Sequence, residues 1–513
     1  MSIVRAAATV GSLTALSRVT GFVRDLMIAA ILGAGPLADA FFVSFKLANF
    51  LRRLFAEGAF NAGFVPLFAR TLEGEGPEAA RSFAREALAV MTTVLLVVVL
   101  LAEIFMPALV RAIAWGFEPG QPRYETAVEL SRVTFPYLMF ISLAALFSGI
   151  LNSIGRFAAA AFAPVLLNLV LISALLLGSL HPKTPAHALA WGVALAGVLQ
   201  LTWVIIAARR NGMRIGLARP RITPRIRKLF ALVLPGAVGA GVYQINLLVD
   251  TWFASTLPVG AVSYLFYADR LNQLPLGIVG IAIGTALLPL LSRQLRAAEH
   301  RRAQATQNRA IEMALLLTLP AAVALVAIGE PIVRLLFERG AFGPEATAAT
   351  SGALMAFATG LPAYVLIKVL APGFFAREDT RTPVVIAAIC LGLNIVLILL
   401  FIGTLAHVGI ALATALSNWL NVMLLGGLLI RRGHFELQPE LVRRTAGLIG
   451  AALAMGVLLA ALRLLLAGHH PLILVATSVI LGGPVYFASA HLMGGTDLRA
   501  LAGQFRRRAP GIT

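Results

Sequence analysis

Polar and apolar residues come in long blocks along this chain. Fourteen apolar segments lie at 6–33, 38–69, 86–112, 127–152, 158–180, 186–208, 229–256, 259–292, 308–334, 346–375, 383–403, 405–430, 444–466 and 470–492. Each reaches the roughly 20 residues a helix needs to cross the hydrocarbon core of a bilayer. Turn formers separate them: Gly33-Ala34-Gly35-Pro36, His181-Pro182, Pro258 and the stretch 468–471. The pattern predicts an all-α polytopic membrane protein with 14 transmembrane helices. The first segment carries Arg18, Arg24 and Asp25 and is too long for the apolar core of a signal peptide, so it is expected to be a span.

The loops alternate in charge. The stretch 209–228 holds Arg209, Arg210, Arg214, Arg219, Arg221, Arg225, Arg227 and Lys228 with no acid. Arg293, Arg296, Arg301, Arg302 and Arg309 follow segment eight, and Arg431, Arg432, Arg443 and Arg444 follow segment twelve. The tail carries Arg506, Arg507 and Arg508. The intervening loops are nearly neutral, or pair their arginines (Arg111, Arg123, Arg334, Arg339) with acids. A Lys/Arg excess marks the cytoplasmic side, so both termini are expected in the cytoplasm.

Residues 40–70 recur as 263–293. At an offset of 223, Asn49 falls on Asn272, Pro66 on Pro289 and Arg70 on Arg293. At an offset of 226, Pro136 falls on Pro362 and Asn168 on Asn394. Matching segments start on the same side of the membrane, so the repeats are parallel, as in many secondary transporters. The expected organisation is an N-lobe of six helices (1–208), a basic cytoplasmic linker (209–228), a C-lobe of six helices (229–432), and two extra helices with a basic tail (433–513). The last two helices either face lipid or form a groove for a lipid tail.

Composition narrows the classes. Of 513 residues, 59% are hydrophobic and only 13% charged, with a mean hydropathy of +0.88; no soluble domain can be carved out. The net charge of +19 sits mostly in loops, so nucleic acid is not an expected partner. The single cysteine, Cys390, excludes a disulfide within the chain and a cysteine metal site. No Walker A motif, no DDxxD-type acidic cluster and no nucleophile–base–acid set is present, so a transporter is expected rather than an enzyme.

The candidate chemistry is charge inside the apolar blocks. Arg18 and Asp25 are seven apart and share a helical face, with Arg24 beside it. Asp39, Lys46 and Arg53 follow at sevens, with Asn49 and Glu57 near the same stripe and Arg52 to one side. Segment eight carries Asp269 and Arg270, with Gln273 one turn on. An arginine at the centre of a membrane helix costs roughly 2.5–3.5 kcal/mol, so such groups usually line a cavity or pair with one another. The surplus here is cationic: Arg18, Arg24, Lys46, Arg52, Arg53 and Arg270 against Asp25, Asp39, Glu57 and Asp269. A cationic cavity suits an anion, and the guanidinium fork suits phosphate. Helix breakers accompany the charges: Pro275, Gly277, Gly280 and Gly284 in segment eight, Pro235, Gly236, Gly239 and Gly241 in segment seven. They serve either bending or close helix packing. Asp250 and Asn394 fit either sodium coordination, a proton carried by Asp250, or one helix–helix hydrogen bond. The absence of a second acid, with Ile398 four residues on from Asn394, weighs towards the hydrogen bond.

Three stretches carry a family resemblance: 17–68 (SRVTGFVRDLMIAAILGAGPLADAFFVSFKLANFLRRLFAEGAFNAGFVPLF), YADRLNQLPLGIVGIAIGTALLP from Tyr267 to Pro289, and FFAREDTRTP from Phe374 to Pro383. They resemble the MviN/MurJ family of the multidrug/oligosaccharidyl-lipid/polysaccharide exporter superfamily. The resemblance implies a flippase of the bacterial inner membrane that moves lipid II, the undecaprenyl-pyrophosphate-linked peptidoglycan precursor, to the outer leaflet. It implies that Arg18, Arg24, Arg52 and Arg270, with Asp25, Asp39 and Asp269, meet the headgroup, and that the last two helices hold the lipid tail. Asp250 and Asn394 match a sodium site of some members, but Ile398 stands where an acid is expected. No cofactor is implied. Coupling to Na+, H+ or the membrane potential stays open, and partners are lipid II, membrane lipids and other wall-synthesis proteins. Rivals are a flippase for another polyprenyl-linked oligosaccharide, a cation-coupled drug exporter of the same superfamily, a membrane scaffold for wall enzymes, and a membrane transferase, which the missing acidic cluster opposes.

Overall fold

A computed structural model of the chain describes residues 3–52, 59–180 and 185–497. Arg53, Glu57, His181-Pro182 and Arg506 to Arg508 lie outside the described residues. Among the described residues the chain forms α-helices and no strand. In order these are α1 (Ile3–Leu32), α2 (Pro36–Arg52), α3 (Ala59–Glu75), α4 (Pro77–Ile104), α5 (Met106–Ile113), α6 (Pro122–Thr134), α7 (Tyr137–Ser153), α8 (Phe157–Gly178) and α9 (Pro185–Arg210). Then follow α10 (Pro224–Ser255), α11 (Ala261–Arg296), α12 (His300–Phe337), α13 (Pro344–Thr359), α14 (Leu361–Phe375), α15 (Arg381–Arg431), α16 (Pro439–Leu465) and α17 (Pro471–Leu492). Nine helical stretches among the described residues are long and apolar enough to cross a membrane. The charged helices α1, α2 and α11 are not among those nine. The chain is a multi-pass membrane protein.

Several apolar blocks are not single rods. Segment four divides into α6 and α7, which meet at Pro136, and segment ten into α13 and α14, which meet at Gly360 just before Pro362. A proline inside a helix lacks the N–H and clashes with the preceding turn. Pro136 and Pro362 are the pair matched by the internal repeat, so the duplicated sequence carries a duplicated kink. Segment three divides at Phe105, before Pro107, into α4 and α5. Segments eleven and twelve run together as α15, whose 51 residues far exceed one span at about 1.5 Å per residue. Its backbone leaves the helical region at Ala406, with φ 48 and ψ −129, where the sequence places the join.

By packing, the chain forms two compact units. The first comprises 1–263 and 339–343, the second 264–338 and 344–513. In the first unit α8 lies between α1 and α9, α2 packs on α6, and α10 packs on α3. The repeat assigns α10 to the second lobe, whereas its packing lies with the first unit.

One end of the first unit is knitted by polar contacts. Gly33 ends α1 in the left-handed region at φ 65, its N–H returning to the Ala29 carbonyl at 2.9 Å. The 339–343 turn docks there: the Ala341 N–H donates to the Ala30 carbonyl at 2.8 Å. A Cβ on Gly340 (φ 60) would lie 2.1 Å from that same oxygen, so only glycine fits. Nearby, Asp39 is wholly buried. Its carboxylate accepts from the Gly260 N–H (2.8 Å), the Ser263 N–H (2.9 Å) and the Ser263 hydroxyl (2.6 Å). It therefore caps the start of α11, where unpaired N–H groups and the helix dipole favour an anion. Arg123 stands 3.7 Å from the same carboxylate, lies 4.2 Å over the Phe117 ring and donates to the Ser255 carbonyl at 3.2 Å. The Gly116 N–H donates to the Ser255 hydroxyl at 3.0 Å. One turn-pair along α2, the Lys46 ammonium donates to the Thr251 hydroxyl at 2.9 Å. The spacing of seven between Asp39 and Lys46 thus builds a seam with α10 and the start of α11.

In the second unit α16 and α17 pack on α12, and the Tyr486 hydroxyl of α17 donates to the Leu316 carbonyl of α12 at 2.9 Å. The FFAREDTRTP stretch becomes a helix cap. Asp379 accepts from the Thr382 N–H (2.9 Å) and hydroxyl (2.6 Å) at the start of α15, and from Arg432 at 2.7 Å. These bonds, the Thr382 hydroxyl first, hold its carboxyl at about 2, below the ordinary 3.8.

Asp39→Ala should lower stability by about 1–3 kcal/mol, because it leaves the buried N–H groups at the start of α11 uncapped; thermal unfolding of the purified protein measures this, and a loss under about 0.5 kcal/mol would refute the cap. A carboxyl with a lowered folded value contributes fully above its ordinary value and loses that contribution as pH falls through the folded one. Hydrogen exchange at the Thr382 amide, corrected for intrinsic rate, should therefore stay flat from about pH 8 to about pH 4, and Asp379→Asn should speed it throughout. Protection that fades between about pH 8 and pH 5 would contradict the cap.

Candidate functional site

α1 is a continuous helix through its charged half, so it sets Arg24 and Asp25 at one level and Arg18 two turns away. The three side chains differ sharply in setting. Arg18 is exposed, whereas Arg24 and Asp25 retain 6% and 2% of their accessible surface. The Arg24 Nε and Nη2 groups both donate to Asp25 Oδ1, at 2.9 and 2.7 Å, and Nη1 donates to the Asn168 Oδ1 of α8 at 2.8 Å. The Phe45 ring of α2 lies 5.8 Å from the guanidinium carbon. Asn168 in turn donates to the Ser17 carbonyl (2.8 Å) and the Thr20 hydroxyl (3.2 Å) of α1. One amide thus fastens α8 to α1 and aims the Arg24 fork.

The arrangement answers the cost of burying charge. A buried ion is stable when paired and hydrogen-bonded on its remaining sites. Asp25 neutralises Arg24, Asn168 takes a further N–H, and the aromatic face adds a weak cation–π attraction. The resulting group is a partly satisfied guanidinium held in a fixed orientation, suited to donating N–H bonds to phosphate oxygens.

On α2, the Arg52 Nε donates to the Asn49 Oδ1 at 3.0 Å, and Asn49 donates to the Phe45 carbonyl at 2.9 Å. Asn49 therefore orients Arg52 much as Asn168 orients Arg24. Asp39, on the same helix, lies apart from both arginines in the buried cap described above. In the second unit, Gln273 donates to Asp269 one turn back on α11, and the Arg270 guanidinium lies 4.7 Å over the Phe266 ring. Asp269 and Arg270 are both half-buried.

The two residues considered for sodium belong to different units. Asp250 is half-buried on α10, next to Thr251, which receives Lys46. Asn394 is wholly buried on α15, with the Thr414 hydroxyl 3.5 Å from its Oδ1 and Ile398 buried one turn on. No group of three or more His, Cys, Asp or Glu side chains able to hold a metal ion occurs among the described residues.

Sequence reasoning did not single out Asn168, Arg123 or Ser263 for these roles. Asn168 had a signal, since it is an amide within an apolar run matched by Asn394 in the repeat. Arg123 had none: its loop position gives no hint that it reaches a buried carboxylate.

Comparisons with known proteins agree with one another. The family model described as Lipid II flippase MurJ matches residues 28–479. A relative from Rhizobium tropici described as a probable lipid II flippase MurJ is 45% identical, covering 99% of this chain and 98% of the relative. The lipid II flippase MurJ of Burkholderia cenocepacia is 36% identical over 99% of this chain and all of its own. Among solved structures, a lipid II flippase MurJ in an inward closed conformation aligns with a TM-score of 0.80 at 25% identity, covering 94% of this chain and 98% of that one. An inward-facing multidrug resistance transporter of the MATE family aligns at 0.71 and 14% identity over 83% of this chain and 98% of its own, a likeness of fold alone. Over nearly its whole length, then, this chain belongs to the MurJ lipid II flippase family.

Proposed function

We propose that the chain carries lipid II from the cytoplasmic to the outer leaflet of the bacterial inner membrane. The observation that supports this most is the buried Arg24, fixed by Asp25 and Asn168, in a chain whose relatives are described as lipid II flippases. In this reading fourteen helices cross the membrane with both termini in the cytoplasm. Six form each lobe, and the last two flank the second. The lobes rock by alternating access about a cationic cavity. The pyrophosphate and sugars enter it while the prenyl chain stays in lipid.

Arg18, Arg24 and Arg52 serve the first lobe and Arg270 the second. Asp25 and Asp269 neutralise and orient them. Asp39 acts indirectly: its cap on α11 closes the outer end of the first unit and must reform in each cycle. A pyrophosphate fits because it offers several oxygens to planar forks, and each charge-assisted bond is roughly twice as strong as a neutral one. The drug-exporter alternative calls for an acidic cavity and is opposed by the arginine surplus. A flippase for another polyprenyl-linked oligosaccharide shares the charge logic and is separated by substrate assay alone. A sodium gradient, a proton carried by Asp250, or the membrane potential at about 2.3 kcal/mol per charge per 100 mV supplies the drive; lipid II transport measured with each gradient collapsed in turn distinguishes them.

The test is rescue of bacteria depleted of their own lipid II flippase. Wild type should restore growth. Arg18→Ala, Arg24→Ala and Arg270→Ala should each fail at matched protein levels, and growth restored by all three would sink the cavity assignment. Arg24→Lys keeps the charge but loses the fork, so it should rescue poorly. Asn168→Ala should cost less than Arg24→Ala, since it removes one neutral partner worth about 1 kcal/mol.

A further inference from the structure

At one end of the second unit, α12, α16 and the stretch following α17 enclose a recess of about 400 Å³. Its charged wall is Arg309, Glu312, Glu440, Arg444 and Asp497, and Met313 and Leu441 close the side facing the apolar lengths of α12 and α16. The charges do not all cancel internally. Arg444 is spoken for: it bonds Glu312 Oε1 at 2.7 Å and Glu440 Oε1 at 2.7 and 3.1 Å. Glu312 and Glu440 are thus each engaged through a single oxygen. Arg309 is exposed and makes no hydrogen bond or ion pair among the described residues. Behind it Asn308, with 4% of its surface accessible, donates to the Gln304 and Glu436 carbonyls, at 2.9 and 3.0 Å, and so ties the 432–438 loop to α12. Its Oδ1 is buried without a partner.

We propose that this recess binds the headgroup of an ethanolamine phospholipid of the surrounding leaflet. The occupant must carry both signs, because an available cation and two carboxylates with a spare oxygen share one wall. Arg309 and Glu312 are three apart on α12, which sets their Cβ atoms about 5–6 Å apart. That spacing suits a phosphate and an ammonium joined by two carbons. The phosphate lies against Arg309, where charge-assisted bonds are strong. The ammonium donates N–H bonds to the second oxygens of Glu312 and Glu440. A choline headgroup has no N–H to donate, and a glycerol headgroup brings a negative charge with nothing for the carboxylates. The recess lies where the polar ends of the helices meet their apolar lengths, with exposed Leu317, Val442 and Ile449 beyond it. A headgroup held there leaves its acyl chains in the bilayer. The site goes beyond the transport reading and takes from it only the sidedness, which makes the leaflet the cytoplasmic one.

Native mass spectrometry of the intact protein, offered equal amounts of ethanolamine, choline and glycerol phospholipids with matched chains, tests the proposal. The ethanolamine lipid should be retained about tenfold over either competitor, as one extra charge-assisted bond predicts. Arg309→Gln should lower that retention about tenfold with unchanged thermal stability, since Arg309 holds nothing else. Glu440→Gln should erase the preference for ethanolamine over choline. Equal retention of the three lipids, preference for the glycerol lipid, or full retention by Arg309→Gln would overturn it. Lipid II transport is read separately, so failure of the transport reading leaves these outcomes unchanged.

Discussion

An ionised side chain at membrane depth has to be answered by the protein, because the lipid cannot answer it. In this chain the answer recurs in one form. A charge is paired with a neighbour, and an amide or hydroxyl from another helix takes the bonds left over. Arg24 has Asp25 and Asn168. Asp39 has Arg123 and the start of α11. Lys46 has Thr251. Apart from Arg24–Asp25 within α1, these contacts join segments distant in sequence, so the bonds that make the charges tolerable also hold the first unit together. Apolar packing among lipid-surrounded helices specifies partners weakly, since lipid tails are as apolar as leucine. Polar contacts of this kind therefore carry much of the specificity.

The division of labour among the charges matters for transport. Arg24 keeps part of its fork while being fixed in direction, whereas Asp39 has its oxygens filled by α11 and Arg123. In the proposed reading the first is the binding group, while the second holds helices together. The Asp39 contacts lie where the polypeptide leaves the first unit at Ser263, and the 339–343 turn of the same unit returns to the end of α1.

Much of this was legible in the sequence. Apolar block length told where helices lie, and the repeat paired Pro136 with Pro362, whose missing N–H breaks the helix in both copies of the structure. Charge inside apolar blocks singled out Arg24 and Arg270 as candidates, and the structure shows the packing around Arg24. What periodicity cannot tell is which face meets which helix. The stripe Asp39–Lys46 was expected to line a cavity and instead faces α10 and the first turn of α11, a pairing across more than 200 residues. Arg123 was illegible for the same reason: its partner, Asp39, lies far back in the chain. The subdivision of segments three, four and ten also escaped, since mean hydropathy is blind to a single broken hydrogen bond.

The central claim is that lipid II itself crosses the membrane by way of the fixed Arg24 fork. The most direct measurement is the amount of lipid II exposed on the outer leaflet, read by an externally added lipid II-cleaving enzyme, in cells depleted of their own flippase. Wild type should restore the cleavable pool and Arg24→Ala at equal abundance should leave it at the depleted level. A pool that stays low with correctly inserted wild type, or that Arg24→Ala restores in full, would contradict the account.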